Sequence, residues 1–327
     1  MKRFLAAVVA VTTALALTAC GSSSTNTTTD DKSAENTDDT TYKIGVLQLT
    51  QHAALDKANE GFIAALDESG IKYEVDQQNA SGEQSACQTI AEKLVNDGND
   101  LIYAIATPAA QAVAGVTSEI PIVLSAVTDP AESGLVASND APGGNVTGTS
   151  DLTPVKEQIE LLKQILPDAK TVGILFCSSE SNSEIQAAMA REACEANGLE
   201  HIDFTVSSSN EIQTVVESMV GKVDVIYAPT DNTIAAGMPT VSMIATDNGL
   251  PIICGEQGMV DAGGLATYGI DYYQLGYMAG QMAVEILRDG ADPATRPIGY
   301  LSADQCELSV NDETAAALGI DVSGLKK

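Results

Sequence analysis

Seven apolar runs along this 327-residue chain end in small polar residues, and those endings hold most of its candidate chemistry. Leu47 gives way to Gln48 and then to Thr50-Gln51-His52. Ile105-Ala106 leads to Thr107-Pro108-Ala109-Ala110, and Ala126-Val127 leads to Thr128-Asp129. Phe176-Cys177 is followed by Ser178 through Ser183, Ala228-Pro229 by Thr230-Asp231-Asn232, Cys254 by Gly255-Glu256, and Ile270 by Asp271. Thr107 suits a helix N-cap, with Pro108 at the first helical position. The N–H groups of Ala109 and Ala110 would then favour an anion. Ser179, Asn182 and Ser183 offer the same at a later helix start. The carboxylates Asp129, Asp231, Glu256 and Asp271 stand at the same level. Helix starts beside lone carboxylates suit a zwitterion, whose carboxylate takes amide and hydroxyl donors and whose ammonium takes Asp or Glu. Each residue alone is an ordinary cap; their concentration in both halves favours a ligand site. His52 either contacts ligand or caps the helix that follows. Asp231→Ala is expected to abolish binding of such a ligand with little loss of stability.

Catalysis has little support. No Ser-His-Asp arrangement is visible around the two histidines, His52 and His201. Cys177 and Cys254 lie near strand ends, but both fall in one half of the chain, which argues against a two-thiol racemase. Gly143-Gly144 lacks the strand and lysine of a phosphate loop and suits a hinge turn. No metal or cofactor is expected, because the cysteine and histidine spacings fit no zinc pattern.

The amino terminus supplies an address. Met1-Lys2-Arg3 is basic, Phe4 to Ala16 is apolar but for two threonines, and Leu17-Thr18-Ala19-Cys20 has the form of a lipobox. Residues 1–19 are therefore expected to be a signal peptide, with Cys20 carrying lipid outside the cell membrane. Residues 20–41 are polar and read as a disordered tether. The net charge of −29 excludes nucleic acid as a partner, since phosphate binding needs clustered Lys and Arg. Of six cysteines, five remain after Cys20. They are expected mostly as buried thiols, with one disulfide left open.

Positioning these residues falls to alternating elements. Apolar runs at 43–49, 72–75, 101–106 and 120–125 alternate with amphipathic stretches at 54–69, 81–96 and 109–117. The second half repeats the scheme, with runs at 171–176, 201–205, 223–228 and 251–254 and helical stretches at 182–197, 211–219 and 233–248. Such alternation implies parallel sheets with right-handed crossovers. Three pairs of segments also match in order: Lys43-Ile-Gly-Val-Leu with Thr171-Val-Gly-Ile-Leu, Asp100-Leu-Ile-Tyr-Ala with Asp224-Val-Ile-Tyr-Ala, and Ile120-Pro-Ile-Val with Leu250-Pro-Ile-Ile. The expected fold is therefore α/β, with two similar doubly wound parallel-sheet lobes joined by a hinge. The first lobe covers 42–150, completed by about 271–290. The second covers 151–270, completed by about 291–327.

The runs Gln48-Leu-Thr-Gln-His-Ala-Ala-Leu-Asp56, Thr107-Pro-Ala-Ala-Gln-Ala112, Ala126-Val-Thr-Asp-Pro130 and Pro142-Gly-Gly-Asn-Val-Thr-Gly148 resemble the ABC-transporter substrate-binding lipoproteins that include tryptophan- and tyrosine-binding members. Glu180-Ser-Asn-Ser183, Pro229-Thr-Asp-Asn232 and Gly269-Ile-Asp-Tyr272 continue the likeness. The resemblance implies a type I periplasmic-binding fold with ligand in the cleft, and delivery to a permease with a cytoplasmic ATPase. It points to Thr107, Ala109, Ala110, Thr128, Asp129, Asn182, Ser183, Thr230, Asp231 and Asp271 as ligand-binding residues, and less directly to Gln48, His52, Ser179 and Glu256. An aromatic amino acid is the implied ligand. With no Trp and four Phe in the chain, stacking falls to Tyr268, Tyr272 or Phe176. A lipid-anchored monomer that is not an enzyme is expected. The alternatives are an extracytoplasmic enzyme acting on a small amino acid or sugar, and a solute sensor that docks on a receptor.

Overall fold

The computed structural model describes residues 40–302 and 305–325. The expected signal peptide, the lipidated Cys20 and nearly all of the tether lie outside the described residues. The first strand, β1 (Thr41–Gln48), opens one residue inside the segment expected as tether.

Two parallel sheets follow. The first lobe runs α1 (Ala53–Ser69), β2 (Lys72–Asn79), α2 (Gln84–Asn96), β3 (Leu101–Ile105), α3 (Thr107–Ala114), β4 (Ile122–Val127) and β5 (Val146–Ser150), with sheet order β2-β1-β3-β4-β5. The second runs α4 (Val155–Ile165), β6 (Thr171–Cys177), α5 (Ser181–Ala196), β7 (Glu200–Val206), α6 (Ile212–Met219), β8 (Val225–Ala228), α7 (Asn232–Asp247), β9 (Ile252–Cys254), α8 (Gln257–Asp261) and β10 (Ala266–Gly269). Then come α9 (Tyr272–Asp289), β11 (Glu307–Val310) and α10 (Asp312–Leu318). The second sheet is ordered β11-β10-β9-β8-β6-β7, parallel except for the β10–β11 pair. The sequence pattern predicts no helix at 257–261, because α8 is barely more than one turn.

The matched sequence segments occupy equivalent places. β1, β3 and β4 stand in the first sheet where β6, β8 and β9 stand in the second. A side-chain contact repeats as well: Asp100 accepts from the N–H of Lys43 at 2.8 Å, and Asp224 accepts from the N–H of Thr171 at 2.9 Å. Both aspartates precede a central strand and tie its start to the neighbouring one.

Late in the chain, α9 leaves the second sheet and packs along α1 of the first lobe. Glycine makes that crossing possible. A Cβ on Gly276 would lie 1.8 Å from the Ala58 carbonyl oxygen, and one on Gly61 would lie 2.0 Å from that of Tyr273. Backbone therefore meets backbone, and Leu275, Ala279 and Ala283 join the first core, with Phe62 and the parallel-stacked Tyr103 among its largest members. This seating fixes where Tyr272, the first residue of α9, reaches the space between the sheets.

Candidate functional site

The carboxyl ends of both sheets face one cleft, as open parallel sheets arrange their ligand sites. The cleft is shut. Gln186 on α5 donates to Thr128 at the end of β4 at 2.9 Å, Gln84 donates to the Ser179 carbonyl at 2.6 Å, and Gln111 donates to Ser181 at 3.2 Å. Between these contacts lies a narrow cavity walled by residues of both lobes and the hinge.

Of the sequence candidates, the cavity brings together His52, Asn182, Thr230, Asp231 and Glu256. Thr107, Thr128, Ser183, Ala109 and Ala110 are buried at the same strand and helix ends. The Ala110 N–H already bonds the Ala106 carbonyl at 3.0 Å, so only Thr107 and Ala109 keep N–H groups ahead of the α3 ladder. Gln48 is buried but spent on the Thr50 carbonyl and Asp56.

Asp129, Ser179 and Asp271 also lie outside the cavity lining and serve elsewhere. Asp129 accepts from the N–H groups of Ala131 and Glu132 and from Asn139, which folds the loop after β4. Ser179 lines a separate groove at the cleft edge with Ser81 and Gln84. Asp271 is exposed and caps α9 through the Gln274 N–H. Tyr268 and Phe176 pack with the second lobe's core; of the three aromatics considered, only Tyr272 meets the cavity.

The two second-lobe carboxylates are also caps. Asp231 accepts from the Ile234 N–H at 2.7 Å and from the Cys177 N–H, tying α7 to the end of β6. Glu256 accepts from the Met259 and Gly258 N–H groups. Burial pushes the Glu256 carboxyl up to about 7, and these donors oppose the shift. The Asp231 carboxyl is also raised, first by burial and then by the nearby Glu180 charge. Its two structural bonds contradict the expectation that Asp231→Ala leaves stability nearly untouched.

The residue that sequence reasoning missed is Asp151. It follows β5 at the crossing between lobes and is 4% exposed. One carboxylate oxygen accepts from the Tyr272 hydroxyl at 2.8 Å; the other is buried with no partner. Burial pushes its carboxyl up to about 6, with the hydroxyl contacts pulling it down. Asp151 lines the cavity with Leu55, Ala126 and Ala235. It obeys the same strand-end rule as the other candidates, but β5 is short and follows a Gly/Pro turn.

Buried polar atoms without partners are rare in folded proteins, and here they gather. His52 Nδ1, Asp151 Oδ1 and Asn182 Oδ1 belong to cavity residues, and the Thr107 hydroxyl is orphaned at the α3 start. His52 does not cap α1: its side chain makes no capping bond, and it instead meets Asn232 across the cleft. Backbone strain gathers too. Ala106 has φ 86° and ψ 151°, and Ala126 has φ 56°, conformations that L-residues seldom adopt and that cost about 1–3 kcal/mol each. Both sit at strand ends facing the cleft. Among the described residues, no cluster of His, Cys, Asp and Glu is placed to hold a metal ion.

Comparison with known proteins agrees with this geometry. The chain is 45% identical over 289 residues to a tyrosine-binding protein of Clostridioides difficile, covering 87% of this chain and 83% of that one. A crystal structure of a Streptococcus pneumoniae domain in complex with L-Trp is 42% identical and superposes with a TM-score of 0.84, covering 88% and 98% of the two chains. A ligand-free, open substrate-binding protein with adhesive properties from Clostridium difficile is 43% identical but superposes at only 0.65, covering 86% and 95%. At equal sequence similarity, the lobes here are disposed as in the ligand complex. The two lobes have the type I periplasmic-binding architecture. The family model for ABC transporter substrate-binding proteins matches residues 43–324, and the chain belongs to that family.

Proposed function

We propose that this protein captures an aromatic amino acid, tyrosine or tryptophan, in the cavity between its lobes and delivers it to an ABC importer. The observation that carries the reading is the set of unpartnered buried acceptors on residues that line the closed cavity between the lobes. The ligand's ammonium faces Asp151, whose free oxygen supplies the charge. Its carboxylate faces the uncapped start of α3, where the N–H groups of Thr107 and Ala109 and the Thr107 hydroxyl are available. Thr230, Asp231 and Glu256 shape the opposite wall. Leu55, Ala126, Ala235 and the Tyr272 ring supply the apolar surface for the side chain. The relatives that carry tyrosine or tryptophan support that choice.

The protein acts outside the membrane as a monomer, held by lipid on Cys20, and docks on a permease whose ATPase is cytoplasmic. Turnover has no place in this reading: the site offers no activated nucleophile, and the ligand leaves as it came.

A thermal-shift screen of the twenty amino acids, nucleosides and sugars tests it. A ligand at 100 times its dissociation constant adds about 2.7 kcal/mol of stability. The largest shifts are expected from L-Tyr and L-Trp. Shifts confined to sugars or nucleosides would refute the assignment.

A further inference from the structure

One unpartnered acceptor owes its state to a chain of contacts whose last link crosses the cleft. Glu180, at the start of α5, accepts from the Thr233 N–H at 2.9 Å, the Thr233 hydroxyl at 2.7 Å and the Asn232 Nδ2 at 2.6 Å. A carboxylate held among backbone and side-chain donors receives and does not donate. The Asn232 amide must therefore turn its nitrogen to Glu180 and its oxygen away. That oxygen lies 3.2 Å from His52 Nε2. An amide oxygen cannot donate either, so the proton of this contact sits on Nε2. Burial holds the His52 pKa below its ordinary value, so the ring is neutral near pH 7 and carries one N–H. Nδ1 is then a bare lone pair, buried and without a partner.

Asn182 can be read the same way. Its Nδ2 donates to the Ser183 hydroxyl at 3.2 Å and to the Thr230 carbonyl at 3.3 Å, which leaves Oδ1 as the unpartnered atom. With Asp151 Oδ1, the cavity residues hold three orphaned atoms, and all three are acceptors. An ammonium presents three N–H donors.

We propose that the Glu180–Asn232–His52 relay sets ligand specificity: closing the cleft locks His52 in its Nε2–H form and makes Nδ1 the third acceptor of the ligand's ammonium. His52 belongs to the first lobe, whereas Glu180 and Asn232 belong to the second, so the lock exists only when the lobes meet. Glu180 and Asn232 act as positioning residues. Ligands that lack a primary ammonium are rejected because three buried acceptors would stay unpaired. The inference rests on the proposed capture of an amino acid.

The chain's two histidines make the test clean. His201 sits on β7, 3.5 Å from Glu195, in the second lobe. In an untagged His201→Gln protein labelled with 15N-histidine, the long-range 1H–15N spectrum reports His52 alone. Saturated with L-Tyr or L-Trp, His52 is expected to show a protonated Nε2 and an unprotonated, hydrogen-bonded Nδ1. Asn232→Ala should release this preference and weaken amino-acid binding by about tenfold or more. It should also narrow the gap in affinity between the amino acid and its deaminated analogue. A bound form with a proton on Nδ1 overturns the relay alone, as does an Asn232→Ala protein with unchanged tautomer and affinity. If no amino acid binds the parent protein, the functional reading fails and the relay falls with it.

Discussion

The two lobes share strand order, and each places an aspartate where it ties a central strand to its neighbour, yet they finish their helix starts differently. In the second lobe, α7 and α8 begin on Asp231 and Glu256, whose carboxylates bond the first free N–H groups. In the first lobe, α1 and α3 begin on His52 and Ala106, and neither start has a side-chain cap. The second lobe caps α7 and α8 with its own carboxylates but leaves α5 without a side-chain cap, while the first lobe leaves α1 and α3 open and tolerates strained alanines near the cleft. Duplicated topology thus supplies one partly self-capped wall and one receptive wall. Asp151, at the crossing between them, carries the free charge.

The largest expected effect lies at that crossing. Asp151→Asn should weaken amino-acid binding by about 100-fold in calorimetric titration, because a buried ammonium loses its counter-charge. The ligand-free protein should unfold at the same temperature or higher, since burial already disfavours the charged carboxyl. A matching loss of affinity and stability would make Asp151 structural, like Asp231.

Next is the α1–α9 crossing. Gly276→Ala forces a methyl group against the Ala58 carbonyl and should cost about 1–3 kcal/mol in denaturant unfolding. It should also weaken binding by displacing Tyr272. A variant that loses stability with full affinity would separate the seating of α9 from the site.

Protonation distinguishes the ligand-free and bound forms. The raised carboxyls of Asp151, Glu256 and Asp231 hold protons more tightly in the folded chain than in the unfolded one. Their contribution to stability is therefore fully present below about pH 4 and is lost as pH rises toward 7. Between pH 7 and 5 these groups should make the ligand-free protein more stable, while the increment added by L-Tyr or L-Trp shrinks as Asp151 takes a proton. Parallel changes in the two quantities would count against Asp151 as the ammonium partner.

The smallest effect is expected at the receptive wall. Thr107→Val removes an unpartnered hydroxyl, so stability should hold or rise while affinity falls a few-fold. Lost stability would show that the hydroxyl supports the fold rather than the ligand.

Much of this was legible in the sequence. Strand–helix alternation and the three matched segments give the two sheets, and the polar residues after each apolar run give the level of the cleft. The division of labour among those residues was not legible. Asp231 and Asp151 are the same residue type at the same kind of strand end. Asp231 stands directly before a helix and is consumed by it. Asp151 stands three residues ahead of Pro154, which has no N–H, and the helix starts only at Val155. Positive φ at Ala106 and Ala126 leaves no mark in composition either, because alanine carries no turn signature.

The central claim is that the closed cavity receives an amino acid by its ammonium. Calorimetric titration of the unmodified protein with L-Trp, L-Tyr and their deaminated counterparts tests it most directly. Saturable binding of at least one amino acid, with its deaminated counterpart bound at least about 100-fold more weakly, is predicted. Equal binding of the two forms, or no binding of either amino acid, would contradict the account.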